Sequence, residues 1–172
     1  MSMLTKNKTT IYNIMSMLAK NNTMIQTDLP VKLPFRMNFD GCSKGNPGLC
    51  GAGAAIYRDG VEIWGGSVFV GINATNNRAE YMGLILGLQK AVEMQIKEIH
   101  VQGDSQLVIN QMTGKYKCNS PNLVDLYETA KGLEKEFANI QYEHILRNFN
   151  KRADELSNIP VHDYLTKTGN GA

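Results

Sequence analysis

The stretch FDGCSKGNPG, Phe39 to Gly48, sets an aspartate at the end of an alternating apolar run and follows it at once with what reads as a glycine-rich loop. From Leu33 to Asp40 the side chains alternate. Phe35, Met37 and Phe39 lie on one side and Arg36, Asn38 and Asp40 on the other, the period-two signature of a strand. A carboxylate at position 40 can open a tight turn, cap an element, face a phosphate or hold a metal ion. The stretch by itself leaves all four readings open.

Outward from there, GAGAAIYR, a turn at Asp59 and Gly60, and VEIWGGSVFVG read as two further strands joined by a hairpin. Three antiparallel strands therefore open the domain. The period then changes: Asn77 to Met94 predicts a helix so apolar in its middle that most of it is buried. Gly83 and Gly87, four apart, let another element pack close to its backbone. Lys97 to Gly103 reads as a short strand and Ser105 to Met112 as a short helix. Pro121 to Phe137 predicts an amphipathic helix, with Leu123, Leu126, Tyr127, Ala130, Leu133 and Phe137 at helical spacing. Ile140 to Arg147 is a fifth strand, and Lys151 to Asn158 begins a last helix. The order βββαβααβα predicts an α/β fold, a five-stranded mixed sheet flanked by helices. GLCGAGAAI resembles a dinucleotide loop only until its third glycine, which falls on Ile56 within strand context.

The 172 residues make one domain with room for a tail, and the composition is globular, 42% hydrophobic and 20% charged. Three cysteines, Cys42, Cys50 and Cys118, are an odd number without metal-ligand spacing, which predicts reduced thiols in an intracellular, cytoplasmic or nuclear protein. No apolar run approaches the roughly 20 residues that span a bilayer. Residues 1–36 hold five cations and one anion, leaving the rest of the chain at −2. The body is thus no basic-patch protein, and a polyanion must be held locally or through bound cations. Residues 1–34, rich in Ser, Thr, Asn and Met, read as a disordered extension; an organelle transit peptide is a weaker reading, since no arginine precedes Arg36. The expected domain covers 35–160, with 161–172 a loose polar tail.

Asp40 has three counterparts at element boundaries: Glu80 in TNNRAEYMG, Asp104 in VQGDSQLV and Asp154 in NKRADELSN. Each has a purely structural reading. Asp40-Gly41 fits a turn, Glu80 a capping-box-like pairing with Asn77, Asp104 an N-cap and Asp154 a solvated charge. Taken together they read differently. Asp40 and Asp104 close strands that this topology sets side by side, where ligands gather. Two like charges about 4 Å apart cost on the order of 4 kcal/mol at an effective dielectric near 20. A fold keeps such repulsion where divalent cations relieve it, and all-oxygen ligation suits Mg²⁺ or Mn²⁺ better than zinc.

FDGCSKGNPG, TNNRAE with its long apolar helix, DSQLVINQM and NKRADELSN, in this order between Arg36 and Asn158, resemble the type 1 ribonuclease H family. The resemblance implies hydrolysis of the RNA strand of RNA–DNA hybrids with two Mg²⁺ ions, Mn²⁺ substituting, held by Asp40, Glu80, Asp104 and Asp154. It also implies that Asn46, Asn76, Asn77 and Gln106 sense the RNA 2′-hydroxyls in the minor groove, where an amide can donate and accept. Thr75 would help bind a DNA-strand phosphate. Lys115 and Lys117 offer the only local cations for the DNA strand. It implies no membrane and no protein partner, and a monomer.

Two departures stand out. The histidine loop of many relatives looks deleted: His144, ten residues before Asp154, alternates with Tyr142 and Leu146 and reads as a core or strand residue, leaving Arg147 as the candidate substitute. The basic, tryptophan-containing protrusion is also missing, the compact form of the family. Proofreading-type exonucleases carry a glutamate two residues after the first aspartate, where this chain has Cys42, and an integrase needs DNA-end modules for which the chain is too short. A catalytically dead hybrid-binding module is the remaining alternative, and four intact acids weigh against it.

Overall fold

The computed structural model describes residues Leu33 to Gly169. Of the extension expected over residues 1–34, with its targeting readings, residues 1–32 lie outside the described part, as do the last three residues. Five strands form one sheet: β1 (Phe35–Gly45), β2 (Gly48–Arg58), β3 (Val61–Ala74), β4 (Glu98–Gly103) and β5 (Asn139–His144), in the order β3-β2-β1-β4-β5. β1, β2 and β3 are antiparallel neighbours, while β4 pairs parallel to β1 and β5 parallel to β4. This is the mixed sheet that the patterning predicts, three antiparallel strands with two parallel additions. The helices are α1 (Asn76–Glu93), α2 (Gln106–Met112), α3 (Val124–Glu134) and α4 (Lys151–Lys167). Among the described residues, no helix is long and apolar enough to cross a membrane.

Consecutive residues of β2 show the two faces of the sheet. A Cβ on Gly53 would lie 2.5 Å from the backbone nitrogen of Ser157 in α4, whereas the Ala54 methyl packs against α1 at Gly87. Covered on both faces, β1 buries Asn38 and Asp40 along with Met37 and Phe39. The core between sheet and helices gathers Met37, Phe39, Ile56, Tyr81, Leu84, Leu88, Ile99, Val101 and Val108. The hairpin between β2 and β3 turns at Asp59 and Gly60, with φ of 51° and 86°, as the Asp-Gly pair predicts for a primed turn.

Three boundaries differ from the sequence reading. The segment after Asp40 is not a loop: β1 continues to Gly45, paired with β2 from Cys42↔Gly51 to Gly45↔Gly48, and only Asn46 and Pro47 turn the chain. Strand pairing across the hairpin overrides the glycine signal there. β5 ends at His144 rather than Arg147, and a single 3₁₀ turn at Arg147–Phe149 leads into α4. α4 passes Pro160 and runs to Lys167, so most of the expected tail from 161 is helix, anchored by buried Val161.

Candidate active site

The parallel pairing of β1 with β4 stops at Phe39↔Gly103, and Asp40 and Asp104 are the next residue on each strand. They therefore lie side by side where that pairing ends, Asp40 still within β1 and Asp104 just past β4. Helix α1 brings Glu80 to the same place. Its approach depends on glycines, because a Cβ on Gly83 would sit 2.5 Å from the Asp40 carbonyl oxygen and one on Gly41 2.2 Å from the Glu80 nitrogen. The close packing read from Gly83 and Gly87 is found at both positions.

One oxygen from each of Asp40, Glu80 and Asp104 can be chosen so that all lie within 4.8 Å of one another. Asp40 is 5% exposed and Glu80 6%. Burial, above all, pushes the Asp40 carboxyl up to about 7; Asp104 and Asp154 push the same way, against a hydrogen bond from Ser157. Burial also drives Glu80 well above the ordinary carboxylate range, with the charges of Asp40 and Asp104 adding to it. Three oxygen donors under mutual repulsion fit a hard divalent cation. The cleft they floor has a volume of about 270 Å³ and is also lined by Lys44, Asn76, Arg147 and Asn158.

None of these three acids serves the role that a purely structural reading gives it. The N-cap of α1 is Thr75, whose Oγ1 accepts from the Arg78 N–H, and Glu80 lies beyond the first turn, its Oε2 accepting from the Gly41 N–H at 3.1 Å. The N-cap of α2 is Ser105, which leaves the Asp104 carboxylate free of its own helix. Asp40 lies within a strand rather than a turn, and its Oδ2 is 2.8 Å from the Ser157 hydroxyl.

Asp154, in the first turn of α4, stands outside this group of three. Its Oδ1 accepts from Arg147 Nη2 at 2.6 Å, and its side chain is 32% exposed against 76% for Arg147. His144 is no core residue. It is exposed at the end of β5, with Nε2 3.2 Å from the Asp104 carbonyl oxygen, which can only accept, so the ring donates. His144 is a strand residue, as the alternation predicts, but the last one of β5, where the side chain is exposed. The connection from β5 to α4 is six residues long, and a loop of 11 residues joins α2 to α3 in place of a protrusion.

The expected substrate contacts divide. Asn46 and Asn76 meet: Asn46 Oδ1 accepts from the Asn76 N–H at 3.1 Å, and Asn76 Nδ2 donates to Glu80 Oε1 at 3.5 Å. Asn77 and Gln106 are exposed on the first turns of α1 and α2. Thr75 is engaged as a cap. Lys115 and Lys117 are exposed on the loop after α2 and do not line the cleft. Sequence reasoning missed Ser157 and Asn158, at three and four residues from Asp154 on one helical face, and Asn150 before it. It also missed Lys44, hidden by reading that segment as a loop.

A β1–β4 switch point carrying a carboxylate cluster, with a long helix supplying the third acid, defines a nuclease-type α/β fold. The sequence model of the family described as "Reverse transcriptase-like" matches residues 38–159. Ribonuclease HI of Halobacterium salinarum is 39% identical over 126 residues, 73% of this chain and 63% of that protein. A bifunctional protein of Mycobacterium tuberculosis is 43% identical over 120 residues, 69% of this chain but only 33% of its own length. The crystal structure of LC11-RNase H1 in complex with an RNA/DNA hybrid superposes with a TM-score of 0.71 at 33% identity, covering 76% of this chain and 99% of that one. The chain belongs to the ribonuclease H1 family.

Proposed function

We propose that this protein is an endoribonuclease that hydrolyses the RNA strand of RNA–DNA hybrids, leaving 3′-hydroxyl and 5′-phosphate ends. The observation that carries this reading is the convergence of Asp40, Glu80 and Asp104 at the end of the β1–β4 pairing in a ribonuclease H fold. Asp40, Glu80 and Asp104, with Asp154 at the rim, hold two Mg²⁺ ions, Mn²⁺ serving as a substitute. When bound, these supply Lewis-acid stabilisation of the scissile phosphate and a nucleophile at neutral pH. Binding also offsets the burial, and the added repulsion, that lift Asp40 and Glu80.

The chain's own residues orient the substrate. Asn46 and Asn76 fix each other at the mouth of the cleft beside Glu80, so an amide edge is presented to the 2′-hydroxyls of the RNA strand; Asn77 and Gln106 extend that edge. Lys44 and Arg147 bring cationic groups to the cleft wall, where a phosphate oxygen can accept from them. Lys115 and Lys117, with Thr75, meet the DNA strand farther out. In this reading the protein acts as a monomer.

A labelled hybrid incubated with wild-type protein and with Asp104→Asn, in Mg²⁺ or Mn²⁺, tests this. RNA–RNA and DNA–DNA duplexes are the controls. RNA-strand cleavage confined to the hybrid and lost in the variant is expected. Hybrid binding without cleavage in either metal would leave the dead-module reading instead.

A further inference from the structure

We propose that Asn150 is a positioning residue that sets the geometry of the cleft's carboxylates, an inference that rests on the metal-dependent reading above. Asn150 is the residue before α4, the place where asparagine ordinarily earns its keep by capping. Its side chain makes no capping bond. Instead it is 1% exposed and turned back into the sheet.

Both N–H groups of its amide are used. Nδ2 donates to the Phe39 carbonyl oxygen at 2.8 Å and to Asp104 Oδ1 at 2.9 Å. Its Oδ1 accepts from Asn38 Nδ2 at 3.4 Å. The two oxygens facing Nδ2 can only accept, so the amide cannot flip without setting oxygen against oxygen. Its backbone carbonyl accepts from the Asp154 N–H at 3.1 Å. One residue thus touches the peptide immediately before Asp40, the carboxylate of Asp104 and the turn that carries Asp154.

The chemistry of an amide suits this place. A buried Lys or Arg would neutralise Asp104 and compete with a cation for it, while a carboxylate would add to the repulsion. A neutral double donor fixes the orientation of Asp104 and leaves its charge whole. Partners that orient metal-binding side chains in this way are worth about 10–100-fold in metal affinity or activity.

The test compares Asn150→Ala, which removes both donors, and Asn150→Ser, which keeps one, with Gln111→Ala as a control. Gln111 is also buried and hydrogen-bonded, accepting from the Tyr81 hydroxyl at 2.7 Å, but in the core. Three quantities are read: Mn²⁺ affinity without substrate by calorimetry, kcat and KM on the hybrid, and Tm in EDTA. Asn150→Ala should lose about 10–100-fold in Mn²⁺ affinity and in kcat, with KM within about twofold and Asn150→Ser in between. Gln111→Ala should lower Tm alone. The proposal is overturned if both Asn150 variants bind Mn²⁺ and turn over as wild type does, or lose only Tm as the control does. Should Asn150→Ala not fold, the Ser variant decides by the same readings. A wild type that neither binds Mn²⁺ nor cuts the hybrid would remove the underlying reading instead.

Discussion

Asp40 and Glu80, on the floor of the cleft, are almost wholly removed from water, whereas Asp154 on its rim keeps about a third of its side chain in solvent. The floor is fixed by the close approach of the β1 and α1 backbones at Gly41 and Gly83, and by the Ser157 hydroxyl of α4, which donates to Asp40. The rim is fixed by one ion pair to an exposed arginine. Burial makes ionisation of the floor costly, so the folded chain holds a strained arrangement that a cation relieves. The rim pair sits in high dielectric, where such contacts contribute about 0–1 kcal/mol, and it opens cheaply. Stability and activity should therefore pull in opposite directions on the floor and be nearly independent on the rim.

The sharpest way to break this contrast is Asp40→Asn. Turnover of the hybrid should fall by about 10³-fold, as for loss of a principal electrostatic group. The same change should raise the Tm of the metal-free protein at pH 8 by a few degrees, because a buried carboxylate no longer has to ionise. A variant that loses both activity and stability would show that Asp40 is held by favourable contacts and not against repulsion. Next in size is Gly83→Ala, whose Cβ meets the Asp40 carbonyl at 2.5 Å. Overpacking there should cost about 1–3 kcal/mol, measured by denaturant unfolding, and lower kcat with it.

The pH dependence follows from the same burial. An Asp40 carboxyl pushed up to about 7 keeps its proton in the folded state while the unfolded chain has lost it, so the folded state binds more protons between about pH 4 and 7. The contribution to stability is present below that window and is lost as pH rises through it; Glu80 acts in the same direction. Calorimetric Tm of the metal-free protein should therefore decline more steeply from pH 5 to 8 in wild type than in Asp40→Asn. Millimolar Mg²⁺ should flatten the wild-type profile, since it binds only the folded state. Equal slopes in wild type and variant would deny that the floor is strained.

The sheet was legible because its period-two strands and long apolar helix are local patterns, and the acids drew notice because each falls where the pattern of the sequence changes. What escaped has a common physical cause. Asp40 looked like the end of a strand because its apolar alternation gives way there to a glycine-rich segment, but antiparallel pairing with β2 carries on to Gly45, and nothing local in SKGNPG announces that. His144 follows the alternation of its strand but lies at its end, where the side chain is exposed. Asn150 and Ser157 read as helix-end and helix-face residues; their roles depend on contacts 46 to 117 positions away. Asp154 belonged to the motif, but its pairing with Arg147 comes from the 3₁₀ turn between β5 and α4, which the pattern of apolar residues does not encode.

The smallest effect belongs to the rim. Arg147→Ala removes the only side-chain partner of the Asp154 carboxylate among the described residues, yet it should change the unfolding free energy by less than about 1 kcal/mol, because the guanidinium is largely solvated. It should not weaken Mn²⁺ binding in the absence of substrate, since it frees Asp154 rather than removing a ligand. If Arg147 accompanies a phosphate on the cleft wall, kcat or KM on the hybrid should suffer while the calorimetric isotherm does not. That dissociation is the point of the measurement. A loss of Mn²⁺ affinity parallel to the loss of turnover would mean that the arginine orients Asp154 for the metal, and the rim would then be built as tightly as the floor.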